Sequence, residues 1–397
     1  MAFRRSSSSR SSLPLLPIFL LTFIFYLNFV ARVIMAPLLP IVESELSLGH
    51  GQAGSLFFFV AFGYGLGLLG AGVVSHFLTH RLNITFAGLM GGLSLIFISR
   101  SASIGAIHSG LVFIGFFAGL YLPSGIATLT ELVSREHWGK AMAIHELAPN
   151  TAFITAPLLA EFLLKFFSWR DSLTVLGGWA VGMSLFFFLS GKGSRKRGEP
   201  PRFQLFREVL SNPLCWIMAV FFVVAIGSSF GVYAVMPLFL VSEMGMDRPW
   251  ANTLIGLSRS FGIILLFISG VLIDRIGPVR ALTTFMITTG FFTLLLGVVP
   301  GLTPVSILVF LQAACVICLF PTGFTIVSLI FPERLRGVAV SLVIFMGFLC
   351  GGGIIPSALG YWAEAFSFSS GFALLGVATL ILFPFFRRLT SRLDFSR

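Results

Sequence analysis

A few ionisable residues stand inside long apolar runs, where a charge has little water to hold it. Arg32 lies in Asn28-Phe-Val-Ala-Arg32-Val-Ile-Met-Ala-Pro37, and Arg259 in Leu257-Ser258-Arg259-Ser260-Phe261-Gly262. Glu146 follows His145 in Ala143-Ile-His145-Glu146-Leu-Ala-Pro149-Asn150. A charge near a bilayer centre costs from about three to more than ten kcal/mol unless paired or hydrated, which makes each of these a candidate site. A guanidinium stays charged and suits bidentate capture of a carboxylate or phosphate. Asn28 and Arg32, spaced i, i+4, are expected to share a helix face, as are Glu146 and Asn150. Asn252, seven residues before Arg259, is placed on that arginine's face. A buried carboxyl such as Glu146 can carry a proton, and the imidazole of His145 stands beside it as a second group able to exchange one. The competing readings are snorkelling of Arg32 and Arg259 to the headgroups, pairing of Arg259 with Glu243 or Asp247, and pairing of Glu146 with Arg135 or Lys140. Tyr233, with Ser229 one turn before it, and Gln312 are weaker candidates for hydrogen bonds to a substrate.

The elements that position these residues follow from composition. The 397 residues are 56% hydrophobic and 10% charged, with mean hydropathy +0.98. Soluble domains carry about 25% charged residues, so lipid is the expected solvent. Twelve apolar segments of membrane-crossing length can be placed. They run roughly over 15–40, 52–75, 84–101, 105–133, 139–164, 171–190, 214–241, 250–273, 279–299, 304–331, 337–362 and 368–386. With the amino terminus in the cytoplasm, 20 of the 26 Lys and Arg fall on the cytoplasmic side, 4 on the outer side, and Arg32 and Arg259 within spans. That asymmetry is the positive-inside pattern, and it requires an even span count. It also accounts for the net charge of +11 without nucleic acid. The expected location is the inner (plasma) membrane, multi-pass, with both termini cytoplasmic and the chain a monomer.

The segment 191–213 is the longest polar stretch and reads as a cytoplasmic linker. It divides the chain into a tail at 1–14, a six-helix bundle at 15–190, a second at 214–386, and a basic tail at 387–397. One offset of 198 residues relates the halves: Gly72-Val73 to Gly270-Val271, Glu45 to Glu243, Pro123-x-Gly125 to Pro321-x-Gly323, and Gly139-x-Ala141 to Gly337-x-Ala339. The offset spans an even number of helices, so the repeats are parallel, an arrangement that typically encloses a substrate path. Arg259 maps onto Ala61 and is not a shared scaffold residue. Gly63, Gly67 and Gly70 form a small-residue stripe for close helix packing. The four cysteines lie in or beside apolar runs, and neither a disulfide framework nor a metal site is expected. There is no GxxxxGK[ST] loop and no HExxH, so neither ATP hydrolysis nor zinc-protease chemistry is indicated, and no cofactor is expected.

The segment Gly270-Val-Leu-Ile-Asp274-Arg275-Ile-Gly277-Pro278-Val-Arg280 resembles the loop signature G-x-L-x-D-R-x-G-x-x-R of the major facilitator superfamily. The first copy, Gly72-Val-Val-Ser-His76-Phe-Leu-Thr79-His80-Arg81, has lost the acid to His76 and the second glycine to Thr79. The resemblance implies an all-α fold of twelve transmembrane helices in two parallel six-helix repeats. It also implies that Asp274, with Gly270, Arg275, Gly277 and Arg280, latches the halves, and Glu131 is expected to pair with basic loop residues at the same rim. An Arg followed closely by Pro in the first span looks like the anion-binding Arg of the superfamily's organophosphate antiporters and anion–cation symporters. The antiporter signature of the fifth span survives only as Ala156-Pro157 with Ala160-Glu161. Together these give the expectation of a secondary active transporter, not an enzyme. It would move a small organic anion by alternating access, with Arg32, Arg259, Asn28, Tyr233, Asn150 and Gln312 toward the substrate and Glu146 and His145 toward coupling protons. The alternatives are a multidrug/proton antiporter of the same fold and a non-transporting membrane sensor or scaffold.

Overall fold

The computed structural model describes residues 14–198 and 203–390. The tail expected over 1–14, save residue 14, lies outside them, as do positions 199–202 of the linker and 391–397 of the basic tail. Among the described residues, eleven helices are long and apolar enough to cross a membrane. In the N-terminal half they are Leu15–Leu46, His50–Phe77, His80–Arg100, Ile104–Leu132, Arg135–Leu164 and Trp169–Ser190. In the C-terminal half they are Pro213–Glu243, Arg248–Ile276, Pro278–Val298, Leu302–Ile330 and Glu333–Ala365. A shorter apolar stretch, Phe368–Pro384, sits in the helix Phe368–Thr390 and completes the twelve. The first span overruns its apolar run because its polar end is tied down: Glu45 accepts from Trp169 Nε1 at 2.6 Å and Arg170 Nε at 3.1 Å, while Glu43 meets His50 Nδ1 at 2.9 Å.

Within each half, small residues allow backbones to touch. Methyl groups at Gly63 and Gly67 of the second span would overlap the carbonyls of Val112 and Phe116 in the fourth, whereas Gly70 faces only the edge of Phe116. The superfamily-like turn is built as its residues dictate. Gly277 takes φ +84°, a left-handed conformation that favours glycine, and Pro278 opens the next helix.

The first, fifth, seventh, tenth and eleventh spans are interrupted, the tenth at Ile317 and Cys318 just before Pro321. Ile34 divides the first span and Glu146 the fifth, each three residues before a proline, Pro37 and Pro149. Proline lacks the N–H that would bond the carbonyl four residues back and clashes with it, so the helix loosens there. In the seventh and eleventh spans the interruptions are π-helical turns, Gly227–Gly231 with Phe239–Glu243, and Gly347–Ile354. The 198-residue offset carries Ile34 onto Val232 and Glu146 onto Ile344, close to these turns.

The halves close on each other at the face away from the termini. Glu161 of the fifth span holds Arg248 Nε at 3.0 Å and accepts from Asn252 Nδ2 at 2.6 Å, and the same amide donates to the Pro37 carbonyl at 3.1 Å. Nearby, Gly51 N–H donates to Glu364 at 2.9 Å. On the terminal face the start of the linker folds back on the turn between the second and third spans. His80 N–H donates to the Lys196 carbonyl and Arg81 N–H to that of Ser194, both at 3.0 Å, and Gly198 N–H donates to the Ser75 carbonyl at 2.8 Å. Thr79 and Arg197 form a β-bridge, and Lys196 reaches Glu131 at 3.4 Å. Further on, the helix Phe203–Leu210 rests on the C-terminal half through buried Val209 and an ion pair between Glu208 and Arg334.

Candidate functional site

Arg32 is 2% exposed, so it does not snorkel. Its guanidinium carbon lies 3.9 Å from the ring centre of Tyr64, 4.7 Å from Phe29 and 4.7 Å from Phe348. Phe348 belongs to the π-turn of the eleventh span, so the box is closed by the opposite half. Nε has no hydrogen-bond partner, and among the described residues Arg32 is in no ion pair. Aromatic faces stabilise a desolvated cation by about 2 kcal/mol, which leaves much of a buried guanidinium's lost hydration uncompensated.

Arg259 is 8% exposed and pairs with neither Glu243 nor Asp247. Glu243 instead accepts the backbone N–H groups of Phe368 and Ser369, at 2.6 and 3.0 Å. Arg259 Nη1 donates to Ser229 Oγ at 3.2 Å and Nη2 to the Ser229 carbonyl at 2.9 Å. Its carbon stands 5.2 Å from the Tyr233 ring and 5.0 Å from Phe153 of the other half. Phe153 packs at 5.2 Å on Phe29, 4.8 Å on Tyr233 and 6.0 Å on Phe230, and Phe230 lies 5.8 Å from Phe348. A continuous aromatic layer thus connects the two guanidiniums, with Phe29 and Phe153 between them. Each is buried, and neither has a carboxylate partner among the described residues. An anion placed among these groups would supply what both lack.

The other sequence candidates divide. Tyr233 joins the Arg259 cage, and its hydroxyl is buried without a partner. Gln312 is buried beside it but donates to the Ser228 carbonyl at 2.8 Å, which bonds it to the π-turn. Asn150 donates to the Glu146 carbonyl at 3.0 Å and secures the break of the fifth span. Asn28 is not brought to Arg32. It lines a small cavity of about 10 Å³ with Gly88, Gly91 and Gly92 of the third span and Ala180, Met183 and Ser184 of the sixth. One i, i+4 step turns a helix by about 40°, and that turn carries the two side chains to different neighbours. Asn252 shares a helix with Arg259 but is held by Glu161 and Pro37.

His145 is fully buried, and its Nε2 lies 3.0 Å from the Tyr121 hydroxyl. The Glu146 side chain is 55% exposed, its Oε1 3.9 Å from His145 Nδ1. Among the described residues it meets neither Arg135 nor Lys140. At the terminal rim Glu131 meets linker Lys196. Asp274 is exposed and, among the described residues, in no ion pair; Gly270, Arg275 and Arg280 are exposed beside it.

Sequence reasoning missed Tyr64, Phe29, Phe153, Phe230 and Phe348. With 46 phenylalanines in the chain, no single one stands out; a ring one turn from an intramembrane arginine, as Phe29 is, was the available signal. The Glu161, Arg248 and Asn252 cluster was also missed, although a carboxylate in an apolar span pointed to it.

Comparisons with known proteins agree on the family. The model of the Major Facilitator Superfamily matches residues 18–309 and 250–394. The chain is 22% identical over 378 residues to the "Probable nitrate transporter NarT" of Staphylococcus haemolyticus, covering 90% of this chain and 92% of that one. It is 23% identical over 288 residues to the "Probable hexose phosphate transport protein" of Chlamydia pneumoniae, covering 62% of each. Among solved structures, a bacterial homologue of the human lysosomal transporter Spinster, in an inward-facing and unoccupied conformation, superposes with TM-score 0.81 at 16% identity, covering 96% of this chain and 98% of that chain. The nucleoside transporter NupG superposes with TM-score 0.79 at 12% identity, covering 94% and 98%. Twelve spans in two parallel repeats, the loop signature at Asp274 and a family match along nearly the whole chain lead to one conclusion: the chain belongs to the Major Facilitator Superfamily, as a multi-pass secondary transporter and not an enzyme.

Proposed function

We propose that this protein carries a small anion, a carboxylate or phosphorylated metabolite, across the inner membrane by alternating access coupled to protons. The observation that carries the reading is the pair of buried guanidiniums, Arg32 and Arg259, one from each half and both without a carboxylate partner among the described residues. Such charges are held most stably when an anion joins them. A cation in the same layer would be repelled, which sets the multidrug alternative aside. Two relatives named for nitrate and for hexose phosphate support a negatively charged cargo.

Glu146 and His145 are assigned to the coupling proton, since they are the carboxyl and imidazole at a helix break beside the central layer. Phe25, stacked on His145 at 4.5 Å, lies 6.4 Å from Phe29, which borders Arg32 at 4.7 Å, so the two sites are linked through these rings. The distribution of 20 basic residues against 4 supports an orientation with both termini in the cytoplasm. The sealed face is then the outer one, and an unpaired Asp274 fits a latch released in that state.

Purified protein in proteoliposomes provides the test. Uptake of glucose 6-phosphate or of nitrate should rise with an inward proton gradient, and Arg32→Ala should abolish it. Full-rate uptake by both Arg32→Ala and Arg259→Ala would remove the anion assignment.

A further inference from the structure

We infer that His145 Nδ1 is the atom that takes up the coupling proton, with Glu146 passing the proton to it and Tyr121 fixing the tautomer that leaves it bare. The inference deepens the proton-coupled reading above and rests on it. It starts from a helix break. Pro149 cannot bond the His145 carbonyl, and Asn150 fastens the Glu146 carbonyl at 3.0 Å. Adjacent residues therefore meet different surroundings: His145 is sealed, while the Glu146 side chain is 55% exposed.

The imidazole is locked in plane. Phe25 of the first span stacks on it at 4.5 Å and 9°, and Tyr121 of the fourth lies parallel within 3°. The Tyr121 hydroxyl has two partners, the Leu21 carbonyl at 3.0 Å and His145 Nε2 at 3.0 Å. It has one hydrogen, and a carbonyl can only accept. Both contacts are satisfied when the phenol donates to Leu21 and accepts from Nε2–H. A neutral imidazole protonated on Nε2 has a bare Nδ1. That nitrogen is buried and, among the described residues, has no hydrogen-bond partner.

The groups facing Nδ1 and Nε2 are few. The first span offers Phe25 and the Leu21 carbonyl, the fourth offers Tyr121, and the fifth offers Glu146 Oε1 at 3.9 Å. Tyr64 of the second span stacks on Arg32. No lysine or arginine pairs with Glu146 among the described residues. A proton reaching the exposed carboxylate makes it an acid. Rotation of that side chain brings its O–H to Nδ1, where the O–H bond breaks and an N–H bond forms. The products are an imidazolium and a carboxylate side by side. Transfer conserves charge, and loading adds one positive charge next to the anion cage.

His145→Gln keeps an amide N–H where Nε2–H stands and removes the basic Nδ1. In proteoliposomes, accumulation of labelled glucose 6-phosphate, or of nitrate as the second probe, driven by a pH gradient should fall at least about tenfold. Tyr121→Phe keeps the ring stack, frees the tautomer and should displace the pH profile of uptake. The direct readout is ¹⁵N NMR of the unmodified protein in bilayers, with His145 assigned by difference from His145→Gln. It should show protonated Nε2 and bare Nδ1 at high pH, and both nitrogens protonated at low pH. The inference is overturned by a proton on Nδ1 at high pH, by a single protonation state across the range in which uptake changes, or by unchanged uphill uptake in His145→Gln. Failure of either probe anion to move in the parent would count against the anion reading, while the NMR result would still decide the proton site.

Discussion

Arg32 and Arg259 reach the central layer from opposite halves but are housed differently. Arg32 is boxed by three rings, and its Nε is unbonded. Arg259 has two rings and two hydrogen bonds to Ser229, one of them to the carbonyl inside a π-turn. Carbonyl dipoles replace part of a cation's hydration; aromatic faces replace less and offer no lone pair to N–H groups. The N-terminal cage is thus the needier of the two and the C-terminal cage is partly self-satisfied. The helix breaks differ in the same sense. Prolines open the first, fifth and tenth spans at single points, whereas glycines let the seventh and eleventh, both in the C-terminal half, widen over whole turns, with Gly227 and Gly351 close together. One half presents a charge boxed among rings on a kinked rod. The other presents a chelated charge on a pliable one.

The sharpest way to break this comparison is truncation of each arginine. Arg32→Ala should weaken anion binding on the order of a hundredfold, and Arg259→Ala by roughly tenfold; equal losses, measured by binding to the purified protein, would erase the distinction. Lysine should rescue Arg259 in part, since Ser229 can accept from an ammonium, and should rescue Arg32 poorly, because a point charge does not stack between rings. Next in size is the seal between the halves. Glu161→Gln removes the charge shared by Arg248 and Asn252, and should raise the population open on that face about tenfold. Spin-label distances between the loops at 47–49 and 366–367 would read the change. Smaller again is Gly351→Ala, whose methyl would stand 2.5 Å from the Val223 carbonyl. Overpacking of this kind costs about 1–3 kcal/mol, so Tm should fall. Pro149→Ala, which returns a donor to the His145 carbonyl, should move Tm less. The smallest effect is expected of Asp274→Asn, within about 0.5 kcal/mol by denaturation, because an exposed carboxylate without a partner contributes little to this state.

Much of the fold was legible because a membrane imposes a severe code. Span length, basic loops and a 198-residue repeat are each readable residue by residue. The loop at Gly277-Pro278 was legible for a local reason, since φ +84° followed by proline is a turn wherever it occurs. The arginines were visible as charges in apolar runs. Their surroundings were not, since which of many phenylalanines flank a guanidinium depends on helix rotation and on the pairing of the second span with the eleventh. Asn28 shows the limit: its spacing from Arg32 was read correctly, yet a 40° turn set it beside the third and sixth spans. Asn252 was placed on the arginine's face for the same spacing reason and is claimed by a carboxylate from the other half. Glu161 was noticed only as a departure from a signature, because its partner Arg248 stands in a different repeat.

The folded-back start of the linker has a mechanical consequence. Gly198 is hydrogen-bonded to the N-terminal half at Ser75, and the helix beginning at Phe203 is anchored on the C-terminal half through Val209 and Glu208. Five peptide steps separate Gly198 from the start of that helix, and a chain of that length reaches at most about 18 Å. The segment thus acts as a short leash: while both moorings hold, it sets a ceiling on how far the two bundles can rock apart at that rim, whatever cargo is on board.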